Sequence, residues 1–230
     1  MECIYSTNLQ KDSEFLEITG AEAKHIHVLR LNIGDEIEIS NGNGLIANSV
    51  IQSINAKVYS CRIQKIHHLR GELKFRLDVA FGLLNDRSRL EFLIEKATEL
   101  GVSNLYPIIT QFTQKKAINS KRLEQKALAA MKQSKRAILP SVIKASKFSC
   151  FITSLKNYDN IILTDIDGSS IDNISIKGNT IVLVGPEGGF SNEEISELKK
   201  LNPNLLSLGS RRLRTETAAI LSLGLISLKM

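Results

Sequence analysis

The residues best suited to chemistry lie toward the C-terminal end. VLVGPEGGFSNEE (182–194) runs from an apolar stretch into Gly185, Gly188 and Gly189, then into a helix start. Ser191 and Glu194 stand at capping-box spacing, which fixes where that helix begins. Glycines after a buried strand let the backbone approach a ligand closely, and parallel α/β sheets bind ligands at that carboxyl edge. A phosphate cradle fits poorly, because neither GxxxxGKS/T nor a GxGxxG after a strand is present. LSLGSRRLRTETAAILSLGLISL (206–228) repeats the layout: an apolar strand, Gly209, a loop with Arg211, Arg212 and Arg214, then a helix that Thr215 is expected to cap. Three arginines and Glu216 between apolar elements must be paired or used. An Arg–Glu pair could simply staple the loop; the reading adopted is anion or substrate handling combined with that stapling.

Other chemistries find little support. His25 and His27 stand two apart, on different faces of a helix, and His67-His68 falls in a linker. Without HExxH or a third ligand, no metal is expected. Cys3, Cys61 and Cys150 are odd in number and far apart, so neither a disulfide framework nor a CxxC site follows. No GxSxG elbow is present.

The elements that must position these loops divide the chain in two. Residues 1–70 read as β-rich: Ile37 and Ile39, Val50 and Ile54, then Val58 and Cys61 alternate with polar positions. Asn41-Gly42-Asn43-Gly44 is a hairpin signal, and AEAKHIHVLR (21–30) can form one helix. Short strands around a tight hairpin point to a small barrel. Residues 71–230 read as an α/β domain of strands alternating with helices. FRLDVAFGLL (75–84), LYPIIT (105–110), IILT (161–164), IVLV (181–184) and LLSL (205–208) suit strands buried on both faces. Arg87–Leu100 has helical spacing through Leu90, Leu93, Ile94 and Ala97, with Gly101 as its cap. Residues 119–138 read as a second amphipathic helix, with Leu123, Ala127, Met131 and Ile138 inward. The last helix is apolar on nearly every side and must be covered all round, by the core or a second subunit.

In 230 residues of net charge +6 the basic excess is local. Residues 71–150 carry fifteen Lys/Arg against seven acids, while the segments on either side are nearly balanced. Between Lys115 and Lys147 there are ten cations and one acid, Glu124. That points to a polyanion-facing surface, with RNA or DNA the partner class. No stretch approaches the ~20 apolar residues of a membrane span, and MECIYSTNLQKDSEF has no secretory pattern. A soluble, reduced, cytoplasmic protein is expected.

Taken together, LVGPEGGFSNEE and LGSRRLRTETAAI resemble the paired cofactor motifs of the RsmE family, the small-subunit ribosomal RNA uridine-N3 methyltransferases of the SPOUT superfamily. HIHVLRLNIGDEIEISNGNG (25–44), RLEFLIEKATELGVSNLYPIIT (89–110) and AMKQSKRAILP (130–140) resemble further blocks of that family, so most of the chain is covered. The chain departs from the pattern at Thr110-Gln111-Phe112-Thr113, where an arginine-serine pair is common. It departs also at Asn41, where an acid is common, and at Lys132-Gln133-Ser134-Lys135, where an acidic-Gln-Ser-Gly form is common.

The resemblance implies a PUA-like, RNA-holding β-barrel over 1–70 and a SPOUT methyltransferase domain over 71–230. The latter would be a parallel sheet with helices on both faces, closed by a deep trefoil knot, an exception to the usual connection rules. It implies S-adenosylmethionine as cofactor, held by Thr164 and Val184 at strand ends and by Gly185, Glu187, Gly188 and Gly189 in the first motif. In the second motif it implies Leu208, Gly209, Leu213, Arg214, Thr215 and Ala218. It implies 16S RNA of the small ribosomal subunit as substrate and a homodimer through the C-terminal domain. Arg30, Lys115, Lys116, Lys121, Arg122, Lys132, Lys135, Arg136 and Arg211 are the expected RNA contacts. Uridine N3 is a weak nucleophile while protonated, so Arg214 is expected to stabilise the uracil anion, with Glu216 orienting it or accepting the proton. The alternatives are a SPOUT enzyme acting on tRNA or ribose 2′-hydroxyls, and a non-catalytic ribosome-assembly factor that binds RNA.

Overall fold

The computed structural model describes residues 1–114 and 118–229, so Lys115 and Lys116 lie outside the described residues. The chain forms two compact units, Met1–Glu72 with Leu128–Leu139, and Leu73–Ala127 with Pro140–Met230.

The first unit holds β1 (Glu2–Tyr5), β2 (Phe15–Ile18), α1 (Gly20–Val28), β3 (Glu36–Ser40), β4 (Leu45–Asn55) and β5 (Val58–His68). Its sheet runs β1-β3-β4-β5-β2, with β1 parallel to β3 and the remaining pairs antiparallel. Asn41 sets the β3–β4 turn: its side-chain oxygen accepts from the Asn43 and Leu45 N–H groups at 2.8 and 3.0 Å, a turn mimic this residue type makes readily. Period-two alternation puts Ile37, Ile39, Ala47 and Ile51 into one core with Ile4, Ile18 and Ile26. Burial pushes the Cys3 and Cys61 thiols up to about 12 and about 11, so neither is a ready nucleophile.

The second unit holds β6 (Leu77–Gly82), α2 (Arg87–Glu99), β7 (Asn104–Ile109), β8 (Ser141–Val142), β9 (Ser146–Lys147), α4 (Phe148–Phe151), β10 (Asn160–Ser169), β11 (Thr180–Val184), α5 (Asn192–Lys199), β12 (Asn204–Leu206) and α6 (Thr215–Lys229), while α3 (Ser120–Gln133) begins in it and ends in the first. The strands form one parallel sheet ordered β12-β10-β11-β6-β7-β8, with β9 also on β7. Every residue of β6 and β11 is buried, as their continuous apolar runs require. Ala80, Leu163, Ile181 and Leu183 pack with Phe148, Phe151 and Leu198 of the α4–α5 side. Their alternates face the other way, where α6 lies on β6 and β11 and α2 lies on α6.

The amino edge of this sheet is locked by Asp78, which is fully buried. It accepts from Arg76 Nε at 2.7 Å, from the Asn104 backbone and side-chain amides at 2.9 Å, and from the Tyr158 hydroxyl. All the chemistry described below sits at the opposite, carboxyl edge.

The second amphipathic helix stops five residues short of its expected end. Lys135 takes a left-handed φ of 54°. The N–H groups of Lys135 and Arg136 then close on the carbonyls of Lys132 and Met131 at 3.2 and 3.0 Å, a Schellman cap. Ile138 instead bridges Asn43, outside any helix. A lysine occupies the position that glycine fills at least steric cost.

Candidate active site

Two strand ends and two loops converge on a cavity of about 660 Å³ at the carboxyl edge of the parallel sheet. β10 carries Thr164 to its wall, and the β10–β12 register slips between Thr164 and Ser169, so that Asp165 and Ile166 bulge into the lining. β11 delivers Val184 and the 185–190 turn; its capping box on α5 is complete, Ser191 Oγ accepting from the Glu194 N–H at 3.2 Å and Glu194 Oε2 from the Ser191 N–H at 2.9 Å. The arginine loop closes the opposite wall.

The two loops are laced together. The Thr215 hydroxyl donates to the Gly185 carbonyl at 2.9 Å, and Arg212 Nη2 donates to the Glu187 carbonyl at 2.9 Å. Thr215 is thus the first residue of α6 and ties one motif to the other, in place of the capping role expected of it. Of the expected cofactor residues, Thr164, Val184, Gly185, Glu187, Gly189, Leu213, Arg214, Thr215 and Ala218 line the cavity. Leu208 and Gly209, with Arg211, line a neighbouring cavity of about 350 Å³ that shares Thr164, Leu213 and Ala218. Gly188 turns to a third, described below.

Glu216 corrects the sequence reading. It is buried, and its partner is Arg89 of α2 rather than Arg214: Arg89 Nε and Nη2 meet Oε1 and Oε2 at 2.8 and 2.6 Å. Arg89 also pairs with Glu187, so one guanidinium spans both motifs. Burial pushes the Glu216 carboxyl up, but the hydrogen bonds from Arg89 and its own backbone, with the charges of Arg89 and Arg214, outweigh it and the net shift is downward. A carboxylate held ionised, with both oxygens engaged, is a poor proton acceptor. Arg214 is exposed in the cavity wall, its charge facing the space. Sequence reasoning missed Arg89, Asp165, Phe190 and Gly82. The signal for Arg89 was its place beside the apolar stripe of α2.

The lowered Glu216 value has a direct consequence for stability. A depressed carboxylate stabilises fully above its unfolded value, near 4.5, and the contribution is lost as pH falls through the lower native value. In Arg89→Met the carboxylate stays buried without its partner, a change worth roughly 3 kcal/mol, and its native value moves above the unfolded one. Thermal unfolding between pH 3 and 7 is expected to show the variant losing most stability at the neutral end and converging on wild type in acid.

The expected RNA contacts scatter. Arg30, Lys121 and Arg211 are exposed. Arg122 pairs with Glu91, whose carboxyl is drawn down to about 2 by hydrogen bonds from Arg122 and Arg87. Lys132 pairs with Glu22 at 2.8 Å and Lys135 with Glu38 at 3.2 Å. Arg136 corrects the expectation: it is 5% exposed, its Nη2 is 2.7 Å from Glu72, and it fastens the end of the first unit rather than facing a phosphate. Among the described residues no His/Cys/Asp/Glu group could hold a metal ion, and no helix is long and apolar enough to cross a membrane.

A family model described as an RNA methyltransferase domain matches residues 71–227, and one described as an RNA methyltransferase PUA domain matches 18–64. The class is therefore an RNA methyltransferase domain joined to a PUA domain. Ribosomal RNA small subunit methyltransferase E of Bacillus subtilis is 30% identical, the match covering 94% of this chain and 91% of the relative. The chain belongs to the ribosomal RNA small subunit methyltransferase E family. A Legionella pneumophila protein solved in complex with its bound cofactor, S-adenosylmethionine, superposes with a TM-score of 0.86 at 26% identity, over 99% of this chain and 97% of that one. The Neisseria gonorrhoeae methyltransferase E, bound to S-adenosylmethionine, shares the fold with a TM-score of 0.88 at 20% identity, over 100% and 98%.

Proposed function

We propose that this protein transfers a methyl group from S-adenosylmethionine to N3 of a uridine in 16S RNA of the small ribosomal subunit, in the cytoplasm. The carrying observation is the lacing of the two motif loops over one cavity, through Thr215 on Gly185 and Arg212 on Glu187. The cavity fits such a cofactor: apolar Leu163, Val184, Phe190 and Leu213 line it beside Thr164, Asp165 and Arg214. Gly185, Glu187, Gly189, Leu213, Thr215 and Ala218 would hold it, with Leu208 and Gly209 extending the cradle. The cofactor supplies an electrophilic methyl on a sulfonium.

The chain's own residues do the rest by positioning and charge. Arg214 faces the cavity without a carboxylate partner among the described residues and is placed to stabilise negative charge on a uracil that has lost its N3 proton. Arg89 keeps both motifs in register through Glu187 and Glu216. With Glu216 committed, Asp165, half-buried in the cavity wall, is the carboxylate placed to take the proton.

Incubation of unmethylated small subunits with radiolabelled S-adenosylmethionine is expected to yield labelled 3-methyluridine on nucleoside analysis. Cofactor binding without transfer to the subunits would overturn the assignment; label recovered from tRNA or as a 2′-O-methylnucleoside would redirect it within the class.

The protein is also proposed to act as a homodimer. Leu221 and Leu228 of α6 are 42% and 88% exposed on an otherwise apolar helix, a face that a second copy can cover. Sedimentation of Leu221→Lys/Leu228→Lys is expected to give a monomer where wild type gives a dimer; a monomeric wild type would remove this part of the reading.

A further inference from the structure

Beside the cofactor cavity, and sharing Pro186 and Glu187 with it, lies a separate pocket of about 440 Å³. Its walls include Asn85, from the loop before α2, and Gln111–Gln114, from the loop after β7. Phe112 forms one wall and is 49% exposed, although an unsupported phenyl ring gains nothing from facing water. The ring is held from behind by the first motif: a Cβ on Gly188 would stand 2.9 Å from Phe112 Cβ, so glycine there is what lets the ring lie against the turn. The polar groups opposite are amides. Asn85 Nδ2 donates to Gln114 Oε1 at 2.9 Å, which engages the Gln114 oxygen and makes its NH₂ the end that can donate to a ligand.

We propose that this pocket receives the extruded target base, with Phe112 as its stacking platform and the Gln114–Asn85 amide pair as donor to a uracil carbonyl. The inference rests on the methyltransferase reading above and adds the substrate's seat. A base methylated at N3 presents its Watson–Crick edge to the methyl donor, so it has to be unpaired and held by its faces and by O2 or O4 alone. An exposed aromatic ring supplies the face, and an amide N–H supplies the donor. A donor to O4 or O2 also stabilises the uracil anion as the N3 proton leaves. The two cavities meet at the Pro186–Glu187 turn, which sets the base and the cofactor next to each other along its edge. The seat takes a pyrimidine with exocyclic oxygens, in single-stranded RNA.

The test uses the full chain, which contains no tryptophan. Phe112→Ala is expected to raise the KM for small subunits roughly 10- to 100-fold, the worth of one stacked base, with S-adenosylmethionine affinity unchanged. Phe112→Trp keeps an aromatic face at the seat and becomes the sole tryptophan; a short oligouridylate, added with S-adenosylhomocysteine present, is expected to quench its fluorescence. The same oligonucleotide with abasic sites should leave it unquenched. Gly188→Ala, which pushes the ring from its seat, should reproduce the KM defect. Unchanged kinetics in Phe112→Ala, or equal quenching by the abasic oligonucleotide, would overturn the proposal. If wild type methylates no subunit RNA while the tryptophan still distinguishes base from abasic strand, the seat stands and the activity assignment falls.

Discussion

Alanine in place of Gly82 is expected to reduce S-adenosylmethionine affinity by about 100-fold or more, the largest loss foreseen for any single methyl group in the chain. Gly82 is the last residue of β6, and a Cβ there would lie 2.3 Å from the Pro186 backbone nitrogen and 2.4 Å from its Cδ. Neither atom is the end of a flexible side chain, so the 185–190 turn itself must move. Displacing that turn disturbs the Gly185 carbonyl that Thr215 binds and the Glu187 carbonyl that Arg212 binds, and the two loops part. Overpacking at a buried strand also costs about 1–3 kcal/mol of stability. Calorimetric titration with the cofactor, alongside thermal unfolding, separates the two effects: a folded variant that binds as wild type would show that the turn yields at no functional cost.

Arg214→Ala is expected to lower kcat by about 100- to 1,000-fold, the worth of one preorganised donor to a developing anion, with cofactor affinity within a few-fold of wild type. Its charge faces the cavity while the other arginines lining that cavity are committed: Arg89 to Glu216 and Glu187, Arg212 to the Glu187 carbonyl. Lysine at 214 should recover part of the rate, since it keeps the charge and loses the planar fork. A kcat within threefold of wild type for Arg214→Ala would assign the anion to another group. Glu216→Gln separates the roles further: it should weaken the Arg89 clasp and stability while leaving the pH dependence of kcat in place, whereas Asp165→Asn should change that dependence.

The parallel sheet was legible because its strands are apolar on both faces, and α2 because Leu90, Leu93, Ile94 and Ala97 fall on one helical stripe and all are buried. The two motif loops were legible because glycine and arginine have few reasons to follow a buried strand. β1 and β2 were not, being four residues each and read correctly only once β3 and β5 are beside them. The partner of Glu216 was hidden for the same kind of reason: Arg214 is two residues away in sequence, but the carboxylate reaches Arg89, 127 residues distant. The early stop of α3 was hidden because lysine gives no sign of a left-handed φ. Phe112 was visible as a departure from a family pattern, without the neighbouring Asn85 and Gln114 that give it a use.

The ion pairs of the basic segment bear on the thermodynamics of RNA association. Of its ten cations, Arg122, Lys126, Lys132, Lys135 and Arg136 are already paired with Glu91, Glu95, Glu22, Glu38 and Glu72. A cation that keeps its carboxylate displaces no counterion from a phosphate. Ten free charges on a single strand would give affinity a log–log salt slope of about −7; with five of the ten committed within the protein it falls to no steeper than about −4. Binding is thereby less dominated by ion release, and a larger share of it is left to the shape and chemistry of one base.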